Sequence, residues 1–298
     1  MDWITGIQKA IDYIEDNITD ELDYEKIAKE SFSSSYHFQR VFSILCGYTL
    51  GEYIRNRRLT LAGAELASDK VKVIDVALKY GYESPDSFAK AFTKFHGITP
   101  STAREPGATL RSFARLSLKI SLEGGSIMDY KIEEKPTMIL TGYKRHFSGT
   151  PAERFDQESD FYVTTRVNQY ILHGIAHDCN TSYAVMTNFN DDGYDYYIAS
   201  QLDEWSRNNL DKELGSEEEA KRFENITVPA QTYVICETDR TKYPTMLFTE
   251  LRKRIVTEWL PSSDYVLADA PEISITHWFL KPDKEYRFIE LWIPIEKK

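Results

Sequence analysis

Between Ile27 and Pro100 the chain states nearly the same pattern twice. Ile27-Ala28-Lys29-Glu30, Phe38-Gln39-Arg40-Val41-Phe42 and Gly47-Tyr48-Thr49 return as Val76-Ala77-Leu78-Lys79, Phe88-Ala89-Lys90-Ala91-Phe92 and Gly97-Ile98-Thr99. Ala28 maps to Ala77 at an offset of 49, whereas Phe38, Phe42 and Gly47 map to Phe88, Phe92 and Gly97 at an offset of 50. One residue has therefore been inserted in the second copy, in the turn between its two helices. Each copy reads as a short helix, a tight turn and a second amphipathic helix closed by glycine. Two such units in tandem are what two adjacent major-groove contacts require.

At 298 residues the chain exceeds the usual size of one domain, and 42% hydrophobic residues suffice for a proper core. A net charge of -11 argues at first against nucleic acid, but the charge is uneven. Residues 31–104 hold ten Lys/Arg against six Asp/Glu, and residues 128–298 hold twenty against thirty. A locally basic segment on an acidic chain is compatible with DNA binding. Cys46, Cys179 and Cys236 have no paired spacing, so neither a disulfide framework nor a zinc ribbon is expected. The N-terminus lacks the regions of a signal peptide and no apolar run approaches a membrane span, which leads us to expect a soluble, cytoplasmic protein without membrane partners.

Ile4, Ile7, Ile11, Ile14 and Ile18 recur at three and four, one stripe of an opening helix. A short helix over Asp23 to Ser31 and a turn at Ser33-Ser34 lead into a helix reaching about Leu45. There Phe38, Val41, Phe42 and Leu45 are expected to bury, while Ser35, Tyr36, Gln39 and Arg40 face outward. Arg is bidentate to guanine, Gln to adenine, and Tyr can meet a thymine methyl. A long helix carrying Arg55, Arg57 and Arg58 reads as a rigid spacer. In the second copy Pro85 suits a first helical position, Phe88, Ala91, Phe92 and Phe95 are expected to bury, and Asp86, Ser87, Lys90 and Lys94 to be exposed.

Residues 7–104 resemble the DNA-binding domain of AraC-family transcription regulators, notably the Mar/Sox/Rob branch. The residues that carry this are Ser35-Tyr36-His37-Phe38-Gln39-Arg40-Val41-Phe42, Gly51 through Leu59, Ala77 through Ser84, and Phe92 through Pro100. The resemblance implies an all-α domain over 1–108 with two helix-turn-helix units. It also implies promoter DNA and RNA polymerase as partners, and base contacts from Tyr36, Gln39 and Arg40. Pro85, Asp86 and Lys90 fall on the equivalent face of the second unit. The acidic Asp86 departs from the usual Gln or Arg and implies weaker or different readout there, such as acceptance from a cytosine amine.

Residues 109–127, Ser-rich and closed by Glu123-Gly124-Gly125, read as a linker. From Met128 short strand patterns alternate with helices, at 137–146, 183–190, 194–201, 231–238, 273–280 and 286–295. Helices are expected over Ala152 to Ile171 and Tyr243 to Leu260. Met128 through Pro136, Val228 through Tyr233, Glu258 through Ser263 and Ile289 through Ile295 resemble the GyrI-like effector-binding domain, with 156–226 matching poorly. That resemblance implies an α+β domain over 128–298, built from two pseudo-symmetric strand–helix–strand–strand units with a ligand cleft between them.

The last strand is the most readable chemistry. Alternation places Ile289, Leu291, Ile293 and Ile295 on one face and Phe288, Glu290, Trp292 and Pro294 on the other. A carboxylate between two aromatic rings suits a hydrophobic cation, since ring faces attract it and the buried charge neutralises it. In the GyrI-like family a Glu in this strand is the recurrent ligand contact. Tyr233, Trp205, Trp259 and Trp278 could complete a cage, the alternative for each being a place in the core. His173, His177 and Cys179 have ligand chemistry but not a metalloprotease pattern, so no metal is expected, and no motif calls for a cofactor. The reading is a one-component regulator, DNA reader in front and small-molecule sensor behind, without enzymatic activity. The alternatives are a hydrolase, because some stand-alone GyrI-like proteins use an acidic residue with a Tyr, and a domain that sequesters a toxic compound.

Overall fold

The computed structural model describes residues 3–31, 34–68, 71–117, 127–149, 151–178, 180–278 and 283–298. It divides into two compact units, one helical and one built on a sheet.

In the helical unit α1 spans Trp3–Asp16, α2 Tyr24–Glu30, α3 Ser35–Cys46, α4 Leu50–Ser68, α5 Val73–Lys79 and α6 Pro85–His96. Both ends of α2 and α5 are related by 49, and both ends of α3 and α6 by 50. The inserted residue therefore sits in the turn before α6, where the sequence predicts it. Local chemistry repeats as well. Ser34 and Ser84 stand at the starts of α3 and α6, their hydroxyls accepting from His37 N at 3.3 Å and Ser87 N at 3.2 Å. Ser33 lies outside the described residues. Gly47 and Gly97 end those helices at φ 76° and 78°, a left-handed conformation that costs a side-chain-bearing residue steric strain. Thr49 and Thr99 then start the next turn: Thr49 and Glu52 form a reciprocal capping box at 3.1 and 2.7 Å, and Thr99 accepts from Thr102 N at 3.2 Å.

The apolar stripe of α1 buries Ile7, Ile11 and Ile14, and Ile18 just beyond it is buried too. Phe88 and Phe92 of α6 pack with Val76 and Ala77 of α5 against Leu59, Ala62 and Leu66 of α4. On α3, Phe38, Val41 and Phe42 are buried as expected, whereas Leu45 is only partly buried. The first half of the expected linker is strapped along α4. Phe113 N donates to Thr60 Oγ1 at 2.9 Å, the Arg57 guanidinium donates to Phe113 O at 2.7 Å and binds Glu15 at 2.8 Å, and Leu116 N donates to Tyr53 Oη at 3.3 Å.

The second unit runs β1 (Tyr130–Lys135), β2 (Met138–Ser148), α7 (Pro151–Thr164), α8 (Arg166–Ile175), β3 (Thr181–Asn190), β4 (Gly193–Ser200), α9 (Glu204–Asn208), α10 (Leu210–Leu214), α11 (Glu217–Ala220), β5 (Glu224–Val228), β6 (Gln231–Glu237), α12 (Thr245–Arg254), a π-helical turn at Ile255–Trp259, α13 (Leu260–Ser262), β7 (Tyr265–Leu267), β8 (Glu272–His277) and β9 (Phe288–Lys297). The strand order is β1-β6-β9-β8-β3-β4-β2-β5, with β7 against β9. Two strand–helix–strand–strand units are therefore present: β2, α7–α8, β3 and β4, then β6, α12, β8 and β9, meeting at the β3–β8 pair. Strands β1, β5 and β7 and helices α9 to α11 are additions that the sequence patterns do not predict.

The edge strands are exchanged. Strand β1 leads into β2 yet pairs with β6, and β5 leads into β6 yet pairs with β2. Two residues join each leading strand to the next, so both connections span at most about 11 Å. Ala230 N in one loop donates to Thr137 Oγ1 in the other at 3.2 Å. The sheet must therefore curl until its opposite edges approach. Its concave face is filled by strand residues alone, Leu140, Val185, Tyr197, Ile235, Ile273 and Trp292 among them, while Phe161 and Leu172 of α7 and α8 cover Tyr143, Phe147, Met186 and Ile198 on the other face.

One buried histidine makes the helical unit acid-sensitive. His96 is 4% exposed, and its Nδ1 accepts Arg111 N–H at 3.2 Å, leaving Nε2–H to donate to Leu59 O at 2.9 Å. Burial, aided by the Arg111 charge, holds its pKa below the ordinary value, against the Leu59 bond. The unfolded chain thus takes up a proton first as pH falls. The stabilising contribution is full above the ordinary histidine value of about 6.5 and is lost below it, through the depressed folded value. Calorimetric unfolding between pH 7.5 and 5.5 should show a loss of stability that is smaller in His96→Gln, whereas equal pH dependence of the two proteins would contradict the assignment.

Candidate functional site

Two surfaces emerge from the repeated helices. On α6, Pro85, Asp86, Lys90 and Lys94 are all exposed, opposite the buried Phe88 and Phe92. On α3, Ser35, Tyr36 and Gln39 are partly exposed, with Gln39 Nε2 donating to Ser35 Oγ at 3.0 Å. Arg40 differs from the helical-wheel expectation. It is only 6% exposed, whereas its counterpart Lys90 is open to solvent. One turn on, Ile44 is likewise only 5% exposed, whereas the matching position on α6 is the solvated Lys94. Arg58 is held by the backbone carbonyls of Ile18 and Asp20 at 2.8 and 2.7 Å, so with Arg57 it braces the fold, while Arg55 stays exposed.

In the second unit the concave sheet face brings a different chemistry together. Directly opposite residues of antiparallel strands share a face. Trp292 lies between Ile235 and Ile273, Glu290 between Glu237 and Ile275, and Phe288 opposite His277. One row further, Ile275 pairs with Tyr183. The expected alternation of β9 therefore holds, and register adds Glu237, His277 and Tyr183, which the sequence reading missed because only strand pairing reveals them.

Trp292 Nε1 donates to Glu290 Oε1, and Glu290 Oε2 lies 3.9 Å from His277 Nε2. His277 stacks on Phe288 with ring centroids 4.2 Å apart and planes 9° from parallel. Burial lowers the His277 pKa, and Glu290 opposes that shift. His277 Nε2 is buried and lacks a hydrogen-bond partner among the described residues, as does Tyr233 Oη. Both rings carry cations of the chain itself, Lys135 4.6 Å from the Trp292 ring and Arg240 4.3 Å from that of Phe288. Arg240 also binds Glu237 at 3.1 Å. Burial, with Asp178 and Glu290 adding to it, raises the Tyr183 pKa. Tyr183 also lines a cavity of about 370 Å³ with Asp178, Thr181, Gln201 and Leu202. Glu290 does not line this cavity, and Tyr183, whose pKa the Glu290 charge helps raise, belongs to both surroundings.

The other expected cage residues fall elsewhere. Tyr233 is wholly buried, 5.6 Å from Trp292, and supports that ring from within the core. Trp259 is placed on the opposite face of the sheet. It packs on Tyr265 at 6.0 Å and on Tyr130 at 5.3 Å, and Tyr130 pairs with Cys236, whose side is opposite to that of Ile235. Trp278 donates to Ser182 Oγ at 3.0 Å, and Trp205 is 57% exposed on α9. Of the residues with metal-ligand chemistry, Cys179 lies outside the described residues and His173 Nε2 is 3.0 Å from Ser182 Oγ.

The family description "Integron-associated effector binding protein" matches residues 131–295, and "Helix-turn-helix domain" matches 27–106. The chain belongs to the integron-associated effector binding protein family. Its helical unit is 45% identical over 98 residues to the HTH-type transcriptional activator AarP of Providencia stuartii, a span that covers 33% of this chain and 73% of AarP. Over 98 residues it is 39% identical to the regulatory protein SoxS of Salmonella typhimurium, covering 33% of this chain and 92% of SoxS. Among solved structures, SAV2435 bound to tetraphenylphosphonium aligns at a TM-score of 0.43 and 16% identity, covering 57% of this chain and 94% of that one. The integron-associated family member described here is thus an AraC-type transcription regulator: a DNA-binding helical unit joined to a GyrI-like effector-binding unit. No helix among the described residues is long and apolar enough to cross a membrane.

Proposed function

We propose that this regulator senses a lipophilic, aromatic cation on the concave face of its sheet, through Glu290 flanked by Phe288 and Trp292. The carrying observation is that Glu290 and Glu237 face each other across neighbouring strands, beside two aromatic rings. Like charges directly opposite destabilise a sheet, and a cation held between them offsets that repulsion. Lys135 and Arg240 now rest on the rings, and an incoming cation would take their places. Tyr233 acts as the wall behind Trp292, and Trp259 has no part in the site. The unit binds without turnover, and transcription is changed by binding alone.

In a fluorescence titration, Trp292 reports occupancy directly. Glu290→Gln should weaken binding of an aromatic cation at least tenfold, about 1.4 kcal/mol, and should leave a neutral isostere of similar area unchanged. Equal affinity in the variant would remove Glu290 from the site. Product accumulation that stops in the variant would instead favour hydrolysis, with Tyr183, which feels the Glu290 charge, as the candidate phenol.

On the DNA side, we infer that Ser35, Tyr36, Gln39 and Arg40 of α3, and Pro85, Asp86, Lys90 and Lys94 of α6, enter successive major-groove segments roughly 34 Å apart. RNA polymerase is the further macromolecular partner of a regulator built this way. With Gln39 and Arg40 in one helix and Asp86 in the other, a selected-site experiment should return one strongly defined half and one degenerate half. Arg40→Ala should cost about 1–3 kcal/mol and relax one base position. Lys94→Ala should weaken all sequences alike, as loss of a phosphate contact does. Two equally informative halves would overturn the assigned asymmetry, and unchanged binding by Arg40→Ala would leave Arg40 a packing residue.

A further inference from the structure

Helices α7 and α8 carry an apolar stripe that no described residue of the second unit covers. Phe155 is 73% exposed, Val163 62%, Val167 64% and Tyr170 67%. Only Thr165 separates the two helices. The bonds Thr165 N to Phe161 O at 3.1 Å and Gln169 N to Thr165 O at 3.2 Å carry the helical turn through it. Spacings of eight, four and three place these side chains on one side, opposite the buried Phe161, Leu172 and Ile175. A contiguous exposed patch of this kind on a folded domain marks a contact surface.

The order of residues along the stripe says what the contact is. Reflected through position 161, Phe155 meets Val167, Asp156 meets Arg166 and Ser159 meets Val163. Apolar faces apolar at the ends, a small side chain faces Val163 near the centre, and an acid faces a base in between. Asp156 and Arg166 are both exposed, and neither is ion-paired to a described residue. The nearby Asp160, by contrast, is already engaged by Arg145 at 2.6 Å. A pattern that is complementary to its own reverse is what a two-fold axis demands, because residue i of one copy then contacts residue j of the other and j contacts i. We propose that a second copy of this chain docks on the α7–α8 stripe in antiparallel orientation, with two reciprocal Asp156–Arg166 pairs setting the register. A contact centred on four apolar side chains per copy is small, so the dimer is weak and reversible.

Sedimentation equilibrium of the full chain tests this. The wild type should pass from monomer to dimer as concentration rises through the micromolar range. Asp156→Arg alone, or Arg166→Asp alone, sets like charges face to face twice per dimer and should weaken association at least tenfold. The combined exchange Asp156→Arg with Arg166→Asp should restore it. Both positions are solvent-exposed, and circular dichroism of each variant verifies the fold. A wild type that stays monomeric, as it would if the chain's own helical unit covered the stripe, overturns the proposal. Single variants that associate like the wild type, or a folded double variant that does not recover, overturn it equally.

Discussion

The effector-binding unit depends on the two-residue period of β9. This strand has β6 on one side and β8 on the other, and Leu267 of β7 reaches Ile295 near its end. Ile289, Leu291, Ile293 and Ile295 are all buried, at 3% exposure or less. A slip of one residue would carry those four side chains to the concave face and send Glu290 and Trp292 under the helices. The apolar side of the strand thus fixes the polar side. Glu290 is held in place by the burial of its neighbours, which explains how a carboxylate comes to sit beside another carboxylate.

The helical unit works by a different economy, reuse of one solution. The same hydroxyl cap, the same left-handed glycine and the same threonine start appear at α3 and α6, with the phenylalanines in matching places. What surrounds that frame is free to differ. Leu78 replaces Lys29, Asp86 replaces Tyr36 and Lys94 replaces Ile44 at corresponding positions. The repeat keeps the backbone and lets the residues around it differ between the two units.

What was legible in the sequence follows from this. The repeat offsets, the insertion point, the isoleucine stripe of α1 and the alternation of β9 are periodic signals, and each matches the structure to within a residue or two. Strand β1, Tyr-Lys-Ile-Glu-Glu-Lys, escaped detection because an edge strand with both faces largely solvated needs no apolar alternation. The partners of Glu290 escaped for another reason. Glu237 and His277 become its neighbours only through register, which joins residues far apart in sequence. Trp259 looked like part of the cage by residue type alone, and its helix carries it to the opposite face. Arg40 is 6% exposed although the helical wheel, which gives direction along a helix but not what packs against it, turns it outward.

The exchanged edge strands have a consequence for how the effector-binding unit can come apart. Each strand–helix–strand–strand half lends its leading strand to the other, β1 to β6 and β5 to β2. Neither half can be cut away without stripping a strand from the one that remains and exposing a bare hydrogen-bonding edge. The two halves are therefore obliged to fold, and to melt, as one body. A ligand that bound on β9 in one half would steady β2 and β4 in the other, without any hinge between them having to move.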